Sequence, residues 1–212
     1  MKGFAKVLTI ALAALLCTSA VALAGGNSLA VTQPGLEGTG NKLSVTLDGS
    51  TNQTWVQDNT PVCEETYNWE IELNSPGVLM DADDKVVLVN VRQQTPADFI
   101  IKCTVRQAAN GNNNVVNCLH RKEGGGFQYA GQIGYGLNAE PNIRMEVVRA
   151  SGAGMSDGII RVFKNGTQLW NFSNKQTFGT CIDRFRMGQT ANILTPTPPS
   201  GVINFDEVVT TR

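Results

Sequence analysis

Apolar and polar residues alternate with a period of two through most of the chain after its first 24 residues. In TYNWEIELN (66–74) the apolar residues occupy every second position, while Glu70 and Glu72 share the opposite face. NKLSVTLDG (41–49) has the same alternation. Because successive side chains of a strand point to opposite faces of a sheet, both segments are predicted to be half-buried strands.

Similar short segments recur with turn residues between them. We predict strands at KVVLVNVRQ (85–93), DFIIKCTVRQ (98–107), NVVNCLHRK (114–122), GFQYAGQIGY (126–135), NIRMEVVRA (142–150), GIIRVFKNG (158–166), TQLWNFSN (167–174), CIDRFRMGQ (181–189) and GVINFDEVVTT (201–211). Asn165-Gly166 predicts a two-residue hairpin between two of them. With no amphipathic helix in the pattern, the chain is predicted to be all-β, a sandwich or barrel of antiparallel strands.

Two adjacent acids, Asp206 and Glu207, interrupt the last predicted strand. They cannot act as a pair, because neighbouring strand residues point to opposite faces. Strict alternation would turn Glu207 towards the core beside Phe205, where an unpaired charge is costly. A β-bulge near Asp206 would redirect Glu207, so the orientation of Glu207 tests whether the last strand is bulged.

The first residues carry two lysines, an apolar run over 7–16 and the small-x-small pattern that ends at Ala24. These features predict a signal peptide (1–24) and a single mature domain (25–212), and hence a protein secreted to the periplasm or the exterior. Lipidation at Cys17 is disfavoured because a leucine precedes it. No other segment approaches the roughly 20 apolar residues that a membrane span needs.

Charge and cysteine content narrow the class further. Removing 1–24 takes away two lysines and no acids, so the net charge of −1 becomes −3, which argues against a nucleic-acid partner. Four cysteines remain, without the paired C-x-x-C spacing of zinc sites. Cys103 and Cys118 flank a turn, so among the three possible connectivities we predict Cys103–Cys118 and Cys63–Cys181.

Glu70 and Glu72 are the clearest enzymatic candidates, since residues two apart on a strand lie about 7 Å apart on one face. WEIELN resembles the start of the laminarinase-type glucanase motif, in which the first Glu is the nucleophile and a later Glu is the acid/base. Glu70 matches the first position, Glu72 replaces an Asp, and Asn74 stands where the final acid is needed. A solvated strand face is therefore favoured over a catalytic pair.

Sugar-binding proteins often stack pyranose rings on exposed aromatic side chains. Tyr129 and Tyr135 stand beside glycines and are predicted to be exposed. Together with Glu70 and Glu72 they form the predicted ligand-binding set. His120 is the only histidine, and no G-x-S-x-G motif accompanies it, so a His-based nucleophilic site is not expected.

Three segments carry a resemblance to a known family: YNWEIELNSPGVLMDADDKVVLV, NIRMEVVRASGAGMSDGIIRVFKNGTQLWNF and IDRFRMGQTANILTPTPPSGVINFDEVVTTR. Their order resembles the concanavalin A-like, laminin-G-type jelly rolls of exported bacterial proteins. The resemblance implies a jelly-roll β-sandwich of two antiparallel sheets. In related carbohydrate-binding modules a structural calcium joins an early Glu to an Asp of the last strand, and Glu37 and Asp206 match those positions.

We therefore expect an exported, non-catalytic binding or accessory protein with a polysaccharide or glycan as its ligand. No cofactor is expected beyond the structural calcium. One alternative is a laminarinase-like glycoside hydrolase or lyase that uses Glu70 and Glu72. The other alternative is a structural surface protein.

Overall fold

The structure, a computed structural model, describes residues 7–9, 28–33, 35–36, 40–50, 53–75, 78, 80, 84–93, 98–108, 111, 113–177, 182–190 and 199–211. Its strands are β1 (Val7–Thr9), β2 (Ser28–Thr32), β3 (Lys42–Asp48), β4 (Thr54–Glu64), β5 (Thr66–Asn74), β6 (Lys85–Gln93), β7 (Asp98–Gln107), β8 (Asn113–Arg121), β9 (Phe127–Gly136), β10 (Asn142–Val148), β11 (Gly158–Lys164), β12 (Thr167–Lys175), β13 (Ile182–Gln189) and β14 (Ser200–Thr211). These residues contain no helix, which confirms the all-β prediction.

The strands form two sheets, and every ladder is antiparallel. Sheet A has the order β12-β11-β10-β5-β14-β3-β2, and β1 pairs with β14 off this path. Sheet B has the order β4-β13-β6-β7-β8-β9. Because β1 lies in the predicted signal peptide, its removal would leave seven strands in sheet A.

All eleven strands predicted from the sequence are present, and β1, β2 and β4 are additional. The sequence of β4, TWVQDNTPVCE, lacks regular alternation and contains Pro61. Proline cannot donate to a sheet ladder and is tolerated mainly on edge strands. β4 is an edge strand of sheet B. At an edge the proline is tolerated, so β4 forms a strand although its sequence lacks the pattern that predicts one.

The core lies between the two sheets and is filled from their inner faces. In β5, Tyr67 and Trp69 are buried, and their rings lie 6.4 and 6.1 Å from that of Phe185 in β13. This contact joins the central strand of sheet A to β13, the strand next to the β4 edge of sheet B. The period-two pattern of 66–74 therefore correctly predicted which face of β5 is buried.

The predicted disulfide between Cys103 and Cys118 is present. The two residues stand directly opposite each other on β7 and β8, and both are buried. The bond closes the hairpin that these strands form. The side chain of Cys63 and the whole of Cys181 lie outside the described residues, so the second disulfide stays a prediction.

Two local features at strand ends and bends agree with the sequence. Asn165 and Gly166 have φ angles of 50° and 75° and connect the paired residues Lys164 and Thr167, as a two-residue hairpin requires. In β14 the register against β5 shifts between Asp206 and Val209. This shift marks a bulge, which answers the question that Glu207 raised in the sequence.

Glu207 occupies the bulge in the left-handed region, with φ 47°, and is exposed. This backbone conformation costs a residue with a Cβ roughly 1–2 kcal/mol, whereas glycine adopts it freely. We expect Glu207→Gly to raise the free energy of unfolding by about 0.5–1 kcal/mol, measured by urea denaturation. Glu207→Ala is the matched control: it removes the carboxylate but keeps the strain, so an equal gain there would contradict a backbone cause.

Candidate functional site

The predicted ligand-binding residues do not meet at one place. Glu70 and Glu72 lie on the outer face of sheet A, since the alternate residues of β5 fill the core. Glu70 stands opposite Arg144 of β10, and Glu72 stands opposite Asp206 of β14. Tyr129 and Tyr135 belong to β9, at the edge of sheet B.

The prediction that Tyr135 is exposed is wrong, because its side chain is only 3% accessible. Its hydroxyl lies 2.9 Å from Ser75 Oγ, which also accepts a hydrogen bond from Asn114 Nδ2 at 3.0 Å. Burial raises the pKa of the Tyr135 hydroxyl to about 12. The neighbouring glycines misled the prediction: they lie on the outer side of β9, while Tyr135 points inward.

Tyr129 is 38% exposed and lies at the seam between the two sheets. Its ring packs edge-on against Trp170 and Phe172 of β12, with centroids 5.5 and 5.9 Å away. Lys175 Nζ donates a hydrogen bond to the Tyr129 carbonyl at 2.9 Å, and Trp170 Nε1 donates one to the Gln132 carbonyl at 2.7 Å. These two hydrogen bonds occupy carbonyls on the edge of β9 that could otherwise pair with a strand of another chain. A ligand-binding role for Tyr129 stays a prediction.

The calcium prediction finds no cage among the described residues. Asp206 Oδ2 accepts a hydrogen bond from Leu36 N at 2.7 Å, and its Oδ1 accepts one from Glu207 N at 2.8 Å. Both oxygens thus already receive a positively polarised donor, and Glu37 lies outside the described residues. In the described part of the chain, no three His, Cys, Asp or Glu side chains lie close enough together to hold a metal ion. In the contacts seen, Asp206 anchors the N-terminal segment to the last strand.

His120 is buried, with 1% of its surface accessible. Its Nδ1 lies 2.8 Å from the carbonyl of Arg121, to which it can donate, and its Nε2 lies 3.1 Å from the side-chain amide of Gln128. Burial lowers the pKa of the ring, and the positive charges of Lys175 and Lys122 add to that effect against the two hydrogen bonds. His120 is therefore a neutral, structural residue.

A pH dependence of stability follows from His120. The unfolded chain takes up a proton near pH 6.5, whereas the folded protein does so only at lower pH. Below 6.5 the unfolded state thus binds more protons, and stability falls as the pH falls towards the folded pKa. We expect the stability advantage of the wild type over His120→Gln to shrink between pH 7.5 and pH 5 in chemical denaturation. A constant or growing advantage would contradict a lowered pKa.

A different surface brings cationic, amide and aromatic side chains together, which Glu70, Glu72 and the two tyrosines do not. On the outer face of sheet B, Arg184 of β13 stands opposite Arg92 of β6, and Arg186 stands opposite Asn90. Lys102 of β7 stands opposite Asn90 on its other side. We call the set Trp55, Gln57, Asn90, Arg92, Phe99, Lys102, Arg184 and Arg186 the basic face.

The basic face keeps its cations close together. Burial lowers the pKa of Arg186, and the charges of Arg92 and Arg184 lower it further. The pKa of Arg92 is lowered by burial and then by Arg184, and that of Lys102 by burial and then by Lys85. Like charges directly opposite on neighbouring strands destabilise a sheet, so this arrangement works against folding unless an anion compensates it.

Two aromatic rings hold the guanidinium groups in place. The Arg186 guanidinium lies 3.8 Å from the centroid of the Trp55 ring, and its Nε donates a hydrogen bond to Gln57 Oε1 at 2.5 Å. Arg92 lies 4.5 Å from the centroid of the Phe99 ring. Stacked and hydrogen-bonded arginines lose less conformational freedom when they bind a planar anion.

Asn90 lies between these cations and is 0% exposed. Neither polar atom of its side chain has a hydrogen-bond partner among the described residues, and the same holds for Arg92 Nε. Buried polar groups are nearly always hydrogen-bonded in proteins, and leaving one unpaired costs about 1–3 kcal/mol. The basic face therefore contains buried donors and an acceptor that no described residue satisfies.

Sequence analysis missed the basic face for an identifiable reason. Arg184 and Arg186 alternate with Phe185 and Met187. This alternation predicts a polar strand face, but it does not predict which strands pair with that strand. The cations and rings come from four strands far apart in sequence, and their pairing order was not readable. Alternating arginines on a predicted strand were the one available signal.

Comparison with known proteins identifies the fold. No family model matches the chain, and no curated protein matches it. The cellulose induced protein Cip1 is similar in structure, with a TM-score of 0.59, 9% identity, and coverage of 91% of this chain and 88% of Cip1. The alginate lyase vAL-1 from Chlorella virus gives 0.52 at 13% identity, over 88% of this chain and 89% of that chain.

The binding domain of botulinum neurotoxin serotype D also matches, with a TM-score of 0.52 and 9% identity over 87% of this chain and 42% of that chain. At such identities the likeness shows the fold alone. The chain is an all-β sandwich of two antiparallel sheets, and these proteins share that fold. No helix in the described residues is long and apolar enough to cross a membrane.

Proposed function

We propose that this chain is an exported, non-catalytic carbohydrate-binding protein of the concanavalin A-like class that holds its ligand on the basic face. The observation that carries the proposal is the buried, unpartnered amide of Asn90 beside arginines stacked on Trp55 and Phe99. Ligand sites combine aromatic surface with a few fixed polar groups in this way.

Two further observations support the proposal. Structures similar to this chain include an alginate lyase and a cellulose-induced protein, so related sandwiches belong to proteins of polysaccharide chemistry. The Cys103–Cys118 bond is of the kind that forms in oxidising compartments outside the cytosol. Both agree with export to a polysaccharide-containing environment.

Binding is favoured over hydrolysis by where the acids lie. A glycosidase needs two carboxyl groups flanking one glycosidic bond. Glu70 and Glu72 lie on the outer face of sheet A, whereas the donors of the basic face lie on the outer face of sheet B. The two sets of residues cannot touch the same sugar.

The test is binding to a panel of polysaccharides by affinity electrophoresis, with Trp55→Ala as the key variant. Trp55→Ala removes the ring under Arg186, so we expect clear loss of retardation. Phe127→Ala, which removes a ring that is 45% exposed elsewhere on sheet B, should bind like the wild type. Tyr129→Ala tests the seam: loss there alone would move the site away from the basic face.

Catalysis is checked on the same polysaccharides by reducing-sugar release and by absorbance of unsaturated uronates. We expect neither product. Release that disappears in Glu70→Gln and Glu72→Gln would overturn the non-catalytic proposal in favour of a laminarinase-like hydrolase. Release that is unchanged in both variants would place catalysis elsewhere and overturn it as well.

A further inference from the structure

We infer that the ligand of the basic face is an acidic polysaccharide whose carboxylate or sulfate groups are bound by Arg92, Arg184, Arg186 and Lys102. The inference rests on the proposed function, since it names the chemical class of ligand for the same surface. The contacts, burial and charges of that surface carry it.

The first argument is uncompensated charge. No carboxylate of the described residues forms an ion pair with Arg92, Lys102 or Arg186. Among the described residues, the carboxylate that pairs with Arg184 is that of its neighbour in sequence, Asp183, at 3.6 Å. By contrast, the outer face of sheet A places Arg144 and Arg161 against Glu146. In the described part of the chain, the arginines of sheet A are thus paired with an acid from another position, whereas Arg92, Arg186 and Lys102 of sheet B are not.

The second argument is geometry. Neighbouring strands lie about 4.8 Å apart, and residues two apart on a strand lie about 7 Å apart. The cations of β13, β6 and β7 thus form a two-dimensional array rather than a single pocket. An array suits a polymer that repeats its anionic group, because several weak contacts then act together on one chain.

The third argument is that the basic face has groups that can bind sugar hydroxyls as well as an anionic group. Guanidinium groups bind a carboxylate or sulfate through two parallel hydrogen bonds. Asn90 is buried among these cations, and its amide has donors and an acceptor that no described residue satisfies; a sugar hydroxyl is a donor and an acceptor at once. The rings of Trp55 and Phe99 hold the guanidinium groups of Arg186 and Arg92 in place.

The experiment is isothermal titration of the full mature chain with polygalacturonate, dextran sulfate and neutral dextran, each at two salt concentrations. We expect binding to an acidic polymer that weakens as salt rises, because the contact is between charges. Arg186→Gln and Arg92→Gln should each weaken it by about tenfold or more, as expected for the loss of a charge-assisted hydrogen bond. Circular dichroism and thermal melting check that each variant folds.

Matched variants separate position from net charge. Arg161→Gln removes the same charge from sheet A, where Arg161 lies 3.3 Å from Glu146, and should bind like the wild type. Arg186→Lys keeps the charge but loses the planar group stacked on Trp55, so we expect it to be weaker than wild type and tighter than Arg186→Gln. Equal losses in Arg161→Gln and Arg186→Gln would overturn the inference.

The polymers separate the remaining outcomes. Binding to polygalacturonate supports a carboxylate ligand, and binding to dextran sulfate alone supports the same anionic chemistry with sulfate as its source. Neutral dextran bound as tightly as the acidic polymers, without salt dependence, would leave the proposed function standing and overturn the inference. Binding to none of the three would count against both, and equal binding to single-stranded DNA would show a general polyanion site instead.

Discussion

Replacing Cys103 and Cys118 together by alanine is expected to lower the free energy of unfolding by about 3 kcal/mol. The bond joins residues 15 apart, and closing a loop of that size in the unfolded chain accounts for about 3 kcal/mol on the chain-entropy model. Both side chains are buried between β7 and β8, and alanine leaves no unpaired polar group there. Urea denaturation at neutral pH measures the change.

The same variant also tests the second predicted disulfide. If Cys63 and Cys181 are bonded, a reducing agent will further destabilise the Cys103→Ala/Cys118→Ala protein. If they are free thiols, reductant will leave that protein unchanged. A loss well below 1 kcal/mol in the double variant itself would show that the β7–β8 hairpin is already constrained in the unfolded chain, against the entropic account.

The features that the sequence predicted correctly are those decided by nearby residues. Alternation over nine residues decides which face of β5 is buried. Asn165-Gly166 decides the hairpin because both positions need positive φ. The cost of pointing a charge at the core identified Glu207 as the residue that tests for a bulge in the last strand. Each depends on local geometry, which a single sequence contains.

The features that it missed are those decided by which strands become neighbours. The basic face exists because β13 lies between β4 and β6, strands more than 90 residues away in the chain. Tyr135 was misassigned for a related reason: its orientation depends on the register of β9 against β8, where Asn114 is its partner. Long-range pairing order is set by the whole core and is not written in any one segment.

The sequence draws attention to the outer face of sheet A rather than to the basic face for a physical reason. Carboxylates two apart on a strand, such as Glu70 and Glu72, are conspicuous in the sequence. Arginines at 184 and 186 read as ordinary solvated positions. Arg184 and Arg186 become unusual only through the strand register, which places Arg184 opposite Arg92. Like charges directly opposite each other on neighbouring strands destabilise a sheet.

Asn90→Leu is expected to stabilise the ligand-free protein and to weaken its binding of the acidic polymer. Leucine has nearly the same size and removes two buried polar atoms that have no partner among the described residues. Each such atom costs about 1–3 kcal/mol, so we expect the free energy of unfolding to rise by about 1–2 kcal/mol after allowance for imperfect packing. Affinity for the acidic polymer should fall by about tenfold or more.

Asn117→Leu is the matched control, since Asn117 is half-buried on the outer face of the same sheet and the substitution is identical. It should change neither stability nor affinity appreciably. If Asn90→Leu instead destabilises the protein by more than about 1 kcal/mol, the amide is a structural hydrogen-bonding group, and its role in binding loses its support. An unchanged affinity in a stabilised Asn90→Leu protein would likewise remove Asn90 from the site.

Saturating ligand should narrow the stability advantage of Asn90→Leu over the wild type. A ligand that binds only the folded state stabilises it by about 2.7 kcal/mol at a concentration of 100 times Kd. A variant that binds tenfold more weakly gains only about 1.4 kcal/mol at the same concentration, so the difference in stability should shrink by about 1.3 kcal/mol. That change distinguishes a residue kept for binding from one that is merely poorly packed, because a packing defect would respond identically in both conditions.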